Sequence, residues 1–171
     1  MSSLVVFSTS TGNTKKIADA IFSALKDTDK KIVDVNEINK VNFNKFDKII
    51  IGGWIDKGDI DEKAKEFLTK LKNKKLGLFV TMGGNPETDR AKNCFQEIKK
   101  SLEKNGNIVE KIFVCQGAID PNLINKFREM TKQGIAGPFA VTPEREARWA
   151  EAAKHPDEKD IENAKKIFGG L

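Results

Sequence analysis

The segment Ser8-Thr9-Ser10-Thr11-Gly12-Asn13-Thr14 decides how this chain folds. It follows the apolar run Leu4-Val5-Val6-Phe7 and precedes apolar residues at helical spacing, from Ile17 to Leu25. The pattern predicts a buried strand, a short polar loop and an amphipathic helix. A helix that starts at such a loop directs unpaired N–H groups and a partial positive charge toward it, and these attract a phosphate group.

The side chains of this loop distinguish it from other known phosphate-binding loops. Hydroxyl donors are supplied by Thr9, Ser10, Thr11 and Thr14. Gly12 lets the backbone approach an anion closely, and the absence of lysine, arginine and histidine leaves dipoles to bind it. The loop lacks the Gly-Lys-Ser/Thr of a Walker A motif and the three glycines of the dinucleotide-binding fingerprint. The alternative is an ordinary strand-to-helix turn in which Thr11 or Thr14 caps the helix.

From Val5 to Thr14 the sequence resembles the FMN-phosphate signature of the flavodoxins, and Ala18 and Ile21 continue the match. In that family the loop wraps the ribityl phosphate of FMN without basic side chains. The resemblance implies that the loop from Thr9 to Thr14, Asn13 included, binds FMN. The order of the following elements extends the resemblance to residue 131.

Length and composition limit the number of domains, the cellular location and the kinds of site that the chain can have. The 171 residues suffice for a single domain, 1–171, which we divide into a core over 1–131 and a helical C-terminal extension over 132–171. No apolar run has the length of a membrane helix and the start lacks a signal-peptide pattern, so we expect a cytoplasmic protein with no membrane partner. Cys94, Cys115 and the single histidine, His155, lack metal-ligand spacing, so we expect neither a metal site nor a catalytic residue.

The net charge of +5 is spread along the chain, because basic and acidic residues are interspersed. This pattern predicts a solvated surface and no binding to nucleic acid. Typical flavodoxins are strongly acidic and dock with basic proteins. The resemblance therefore implies a different kind of redox partner here, and a flavin potential that is less negative.

Apolar runs alternate with helical patterns along the rest of the chain. Strands are predicted at 31–35, 48–52, 76–80 and 108–115, and helices at 61–71, at 89–104 and from Asp120 onward. This alternation predicts an α/β fold with a parallel sheet covered on both faces. With the resemblance, it indicates a flavodoxin-like three-layer sandwich with a five-stranded parallel sheet in the order 2-1-3-4-5. The ligand crevice then lies at the C-terminal ends of strands 1 and 3.

The segment after the third strand is predicted to be a flexible glycine-rich loop at this crevice. Its candidate cofactor-binding residues are Gly53, Trp54, Ile55, Asp56, Lys57 and Gly58. A tryptophan in such a loop favours stacking on an aromatic ligand, and the alternative is an apolar plug over the sheet edge. By resemblance, Trp54 covers the inner face of the flavin ring, and Gly53 or Gly58 supplies a flexible peptide for flavin N5.

The segment after the fourth strand supplies the remaining candidates. They are Thr81, Met82, Gly83, Gly84 and Asn85. Their backbone groups would contact the polar edge of the flavin, although a plain turn is the alternative. Many flavodoxins have a tyrosine here that covers the outer face of the ring. This chain has no tyrosine, which implies a more exposed flavin.

The extension is longer than a flavodoxin requires. Thr142 and Pro143 predict one helix start, and Asp157 predicts the start of a last helix that runs to Phe168. The extension is either a flap that packs on the sheet edge or a lid or docking surface that uses Arg145, Arg148 and Trp149. Its residues, with Trp54–Gly58 and Cys115-Gln116-Gly117, are similar to a subgroup of flavodoxin-like proteins associated with bilirubin reductase.

The sequence thus predicts an FMN-binding electron-transfer protein that delivers electrons to a reductase partner. The subgroup resemblance implies that this partner is a bilirubin reductase, which converts bilirubin to urobilinogen. Two alternatives stay open. One is an FMN-dependent oxidoreductase that uses NAD(P)H to reduce a quinone or a flavin, and the other is a flavin-free interaction scaffold.

Overall fold

Residues 1–170, the part of the chain that the computed structural model describes, form six strands and six α-helices. The strands are β1 (Ser2–Phe7), β2 (Asp29–Asp34), β3 (Lys48–Asp56), β4 (Asp59–Ile60), β5 (Lys75–Met82) and β6 (Ile108–Gln116). The α-helices are α1 (Asn13–Ala24), α2 (Glu62–Thr69), α3 (Asp89–Glu103), α4 (Pro121–Lys132), α5 (Pro143–Ala152) and α6 (Glu158–Phe168). Short 3₁₀ turns span Val35–Lys40, Phe43–Lys45 and Gly137–Phe139.

Five of the strands form a parallel sheet in the order β2-β1-β3-β5-β6. This confirms the predicted order, in which these strands are numbered 2-1-3-4-5. In the centre of the sheet Val6 lies between Val33 of β2 and Ile51 of β3. The short strand β4 pairs antiparallel with the end of β3 and was not predicted.

Helices cover both faces of the sheet, which confirms the three-layer sandwich. Leu4 and Ile49 belong to the apolar cluster that includes residues of α2 and α3. Val5 and Ile50, one position along each strand, belong to the opposite cluster, with residues of α1 and α6. Because neighbouring positions face opposite layers and both layers are covered, the central strands are apolar throughout.

The last helix, α6, is part of the core. Phe168 is fully buried in the cluster that contains Val5, Ile50 and Phe79. A Cβ atom on Gly77 of β5 would lie 2.7 Å from the Phe168 ring, so this glycine leaves the space that the ring fills. By contrast, α4 has no buried residue. The core therefore includes α6, and we call the segment 121–152, between β6 and α6, the added segment.

The predicted helix starts near the C-terminus are present. The Thr142 hydroxyl accepts a hydrogen bond from the Arg145 N–H, and Asp157 accepts one from the Asp160 N–H. Pro143 lies at the first position of α5, where its missing N–H costs no hydrogen bond. Among the helices described here, none is both long and apolar enough to cross a membrane.

Candidate functional site

A cleft of about 640 Å³ opens at the C-terminal edge of the sheet. It lies where β1, β3 and β5 end, beside the point at which the strand order reverses, and this is the usual ligand position in such sheets. The structure brings together most of the predicted site residues there. They are Thr9, Ser10, Thr11, Asn13, Thr14, Trp54, Ile55, Asp56, Lys57, Thr81, Met82, Gly83 and Gly84. Outside this lining lie Gly12, Gly53, Gly58 and Asn85.

The start of α1 differs from the other helix starts in residues 1–170. In the other α-helices an N-cap side chain accepts a hydrogen bond from the first turn; these caps are Asp61, Thr88, Asp120, Thr142 and Asp157. Helix α1 begins after Gly12, with no side-chain cap and no acidic residue in its first turn. Gly12 has a φ of 95°, a left-handed conformation that favours glycine. The first N–H groups of α1 therefore stay available to an anion.

The predicted phosphate-loop residues divide into two roles. Three of them shape the loop: the Thr9 hydroxyl accepts from the Gly12 N–H at 2.9 Å, the Thr14 hydroxyl bonds to the Thr81 hydroxyl at 2.9 Å, and the Asn13 amide donates to a carbonyl after β6 at 2.9 Å. Ser10 and Thr11 are exposed on the cleft wall. Their hydroxyls are therefore the side-chain groups best placed to meet a ligand.

Trp54 lies in strand β3 and not in a flexible loop, so that prediction was wrong. It pairs in register with Thr81 of β5, and its half-buried side chain lines the cleft. The strand runs on to Asp56 and turns back into β4 through Lys57 and Gly58, whose φ angles are 51° and 88°. Two positive φ angles in a two-residue turn are typical of a type I′ hairpin. The hairpin holds Trp54 on a rigid strand.

Gly53 has a packing role that the sequence did not show. It pairs with Val80 inside the sheet, and a Cβ atom on it would lie 2.6 Å from Asp61 Oδ2. Gly53 therefore permits a close approach and is no longer a candidate for a flexible peptide. Gly58 lies in the exposed turn between β3 and β4, outside the cleft lining.

Asp61 is the site residue that sequence reasoning missed. Its side chain is buried and accepts from the Ser8 hydroxyl at 2.6 Å, the Trp54 N–H at 3.2 Å and the Ala64 N–H at 3.1 Å. Its own N–H donates to the Trp54 carbonyl at 2.8 Å. The sequence placed Asp61 only at the start of the predicted helix 61–71, where a negative charge is favourable, and its contacts with Ser8 and Trp54 were not predicted.

The end of β5, which runs two residues past the predicted strand 76–80, forms the cleft floor with the two glycines that follow it. Thr81, Met82, Gly83 and Gly84 line it, whereas the Asn85 side chain accepts from the Glu87 N–H at 2.9 Å. Asn85 faces an adjoining groove of about 970 Å³ that follows α3. The groove and the cleft share residues, so they are continuous. The shared residues are Ile55, Lys57, Met82, Gly84 and Arg148.

The added segment 121–152 supplies the outer wall of the cleft. Arg145 and Arg148 line it, and Arg145 is held by hydrogen bonds to the carbonyls of Ala140 and Pro138 at 3.0 and 3.2 Å. Trp149 is buried and stacks on Phe127, with 6.2 Å between ring centroids. Sequence reasoning did not select four further lining residues, Ala118, Ile119, Asp120 and Leu123. Arg148 is exposed and lies at the mouth of both cavities.

The cysteines and the histidine have local roles. Burial raises the pKa of the Cys115 thiol strongly, with a contribution from Asp160 and Asp157, so the thiolate is disfavoured. Burial also raises the pKa of Cys94, whose thiol donates to the Gly58 carbonyl at 3.1 Å. His155, Asp157 and Asp160 lie close enough to hold a metal ion, but the two aspartates form the cap of α6 and His155 Nδ1 lies 2.6 Å from Asp160.

Residues 4–169 match the family model of the flavodoxin domain. The chain belongs to the flavodoxin family. It is 34% identical over 172 residues to the flavodoxin-like domain-containing protein BilS of Clostridioides difficile (strain CD3), and the match covers 96% of this chain and 92% of BilS.

Solved flavodoxin structures show the same fold. A flavodoxin from the domain Archaea superposes with a TM-score of 0.62 at 15% identity, over 99% of this chain and 94% of that one. Two-electron reduced flavodoxin of Megasphaera elsdenii gives 0.53 at 27% identity, over 66% and 84%. A flavoprotein of Lactobacillus acidophilus in complex with FMN gives 0.50 at 18% identity, over 73% and 97%. Family and fold together support an FMN-binding flavoprotein.

Proposed function

We propose that this flavodoxin-family protein binds FMN and carries electrons to a reductase partner. The observation that supports this most strongly is the uncapped start of α1, which opens into a cleft with Trp54 in another wall. The N–H groups of the first turn and the hydroxyls of Ser10 and Thr11 would hold the phosphate. Trp54 would cover one face of the ring. When bound, FMN supplies reversible one- and two-electron chemistry.

The residues of the cleft fit this cofactor. A Cβ atom on Gly12 would meet no atom within 4 Å, so the loop leaves open space in front of the helix start. The cleft has a volume of about 640 Å³, which is in the range of cofactor pockets. Bare peptide groups at Gly83 and Gly84 can meet the polar edge of a ring. The arrangement fixes and orients a flat phosphorylated ligand without a charged side chain in the phosphate loop.

Delivery to a partner is supported by the mouth of the cleft. Lys57 and Arg148 are exposed there, and the chain as a whole carries a net charge of +5. These charges favour a partner with an acidic docking surface, since complementary charge speeds association. We propose a bilirubin reductase as this partner, on the subgroup resemblance of the sequence and the 34% identity to BilS.

A second candidate function is an oxidoreductase that reduces a small substrate itself. The observation that favours it is the groove of about 970 Å³ that continues from the cleft past Lys57 and Met82. A substrate in this groove would lie next to the cofactor site. NAD(P)H alone would then support steady turnover of a quinone or a flavin, without a second protein.

Stopped-flow mixing separates these functions. FMN-loaded protein is reduced photochemically and mixed with purified bilirubin reductase, and the reoxidation of its FMN is followed by flavin absorbance. We expect single-turnover electron transfer that slows as salt rises, and no steady oxidation of NAD(P)H by the protein alone. Transfer no faster than to an unrelated redox protein would refute bilirubin reductase as the partner, and FMN that cannot be reduced and reoxidised reversibly in the protein would refute the carrier role. Steady NAD(P)H oxidation would establish the second candidate, and failure to retain FMN would leave the flavin-free scaffold.

A further inference from the structure

A buried carboxylate links two walls of the cleft. Asp61 is 4% exposed and lies directly before α2. A buried carboxylate is unfavourable unless several donors satisfy its oxygens. Here the donors come from three parts of the fold: the end of β1, the end of β3 and the first turn of α2.

Capping α2 does not account for these contacts. A helix cap requires one bond, here from the Ala64 N–H to Asp61 Oδ1, and a serine or threonine makes such a bond as well. The other two bonds reach outside the helix. One comes from Ser8, the residue at which the phosphate loop begins, and the other from the peptide of Trp54.

Asp61 forms hydrogen bonds with both backbone polar groups of Trp54. The Trp54 N–H donates to the Asp61 side chain, and the Trp54 carbonyl accepts from the Asp61 N–H. The missing side chain of Gly53 provides the space for this approach. Ser8 is 3% exposed, so water does not compete strongly for its bond to Asp61. The link between loop and wall is therefore short, buried and made by one side chain.

We propose that Asp61 is a positioning residue that sets the spacing between the phosphate loop and the Trp54 wall. The proposal rests on the proposed function, because it concerns flavin binding by these two walls. Asp61 need not touch the ligand: it fixes where the loop ends relative to where the aromatic ring stands. A ligand with a phosphate at one end and a flat ring at the other requires both positions at once.

The test uses Asp61→Ser in a Trp149→Phe background, so that Trp54 is the single tryptophan. Serine keeps the cap of α2 but has one oxygen, which cannot serve Ser8, Trp54 and Ala64 together. We expect unchanged helix content by circular dichroism, a shift of Trp54 emission in the flavin-free protein, and a loss of FMN affinity of about tenfold or more, the equivalent of one charge-assisted hydrogen bond. Riboflavin affinity should fall as well, because the ring wall moves.

Asp157→Ser is the matched control, since it changes the same residue type at the cap of α6, outside the cleft lining. It should leave both Trp54 emission and FMN affinity as they are. Ser8→Ala provides a second variant if Asp61→Ser fails to fold, because it removes the link to the loop and keeps the cap. It should lower FMN affinity in the same direction by a smaller factor.

Unchanged Trp54 emission and unchanged FMN affinity in Asp61→Ser or Ser8→Ala would overturn the proposal and leave Asp61 as a helix cap. An equal loss in Asp157→Ser would also overturn it, since the effect would then be general destabilisation. If the parent protein does not bind FMN, the proposed function fails. The emission measurement needs no flavin and still decides whether Asp61 positions Trp54.

Discussion

Two walls of the cleft, the phosphate loop and the outer wall formed by segment 121–152, are built in different ways. The loop between β1 and α1 is fixed by buried hydrogen bonds to the rest of the core, such as Thr14 to Thr81 and Ser8 to Asp61. The segment 121–152 is held by stacked aromatic rings and a surface ion pair, and α4 contributes no buried residue. Buried, fully satisfied contacts give a rigid wall, whereas a segment with few buried contacts opens at low cost. We infer that the first wall holds the cofactor and the second adapts to the partner.

The largest expected effect concerns where the core ends. Phe168→Ala should lower the free energy of unfolding by about 3–5 kcal/mol, because it empties a fully buried site against the sheet. Phe139→Ala, in the added segment, should lower it by less than about 1 kcal/mol, because that ring is 54% exposed. Urea unfolding measures both. Similar losses in the two variants would remove the distinction between core and added segment.

The next largest effect is expected from alanine substitutions at two matched glycines, one in the phosphate loop and one in segment 121–152. Gly12 and Gly134 both have positive φ, 95° and 70°, and neither has an atom within 4 Å of a built Cβ. Alanine at either position should cost about 1 kcal/mol of backbone strain. Gly12→Ala should also weaken FMN binding about tenfold or more, since it moves the N–H groups that face the phosphate. Gly134→Ala should leave FMN affinity unchanged, and an equal effect of both variants would contradict the assignment of the first wall.

A smaller effect is expected from the tryptophan in the cleft. Trp54→Ala should weaken FMN binding by about 1 kcal/mol, the usual value of aromatic stacking, and should restore flavin fluorescence that the indole quenches. Trp149→Phe, in the outer wall of the cleft, should change both by less, because it keeps an aromatic ring stacked on Phe127. Fluorescence titration gives both quantities. Flavin emission that stays quenched in Trp54→Ala would place the ring against another side chain.

These comparisons show which parts of the molecule the sequence could predict. The phosphate loop is a contiguous segment, so its residue types alone were sufficient to predict a phosphate site. The helices α4 and α6 have equally good apolar spacing, and periodicity alone does not tell which of them packs on the sheet. Gly53 and Gly58 suggested a loop after the predicted strand 48–52, but β3 continues to Asp56, and Asp61 fills the space beside Gly53. The links of Asp61 to Ser8 and Trp54 join distant positions, and no local pattern encodes them.

The smallest effect concerns the junction between the added segment and α6. The hydrogen bond to Asp160 raises the pKa of His155, burial opposes this, and the charges of Asp160, Asp157 and Glu151 contribute. Because the folded-state pKa is raised, the stabilisation is fully present below the unfolded value of 6.5 and is lost as pH rises through the folded pKa. His155→Gln should therefore destabilise the protein more at about pH 5.5 than at about pH 8.5. An equal loss at both pH values in urea unfolding would refute this.

The central claim is that the open start of α1 binds the phosphate of FMN through backbone dipoles and hydroxyls. The most direct measurement is a titration of the flavin-free protein with FMN and with riboflavin, which lacks the phosphate, followed by flavin fluorescence. We predict that FMN binds at least about a hundredfold more tightly, a difference of about 2.7 kcal/mol. Equal affinities for the two flavins, or no binding of either, would contradict the claim.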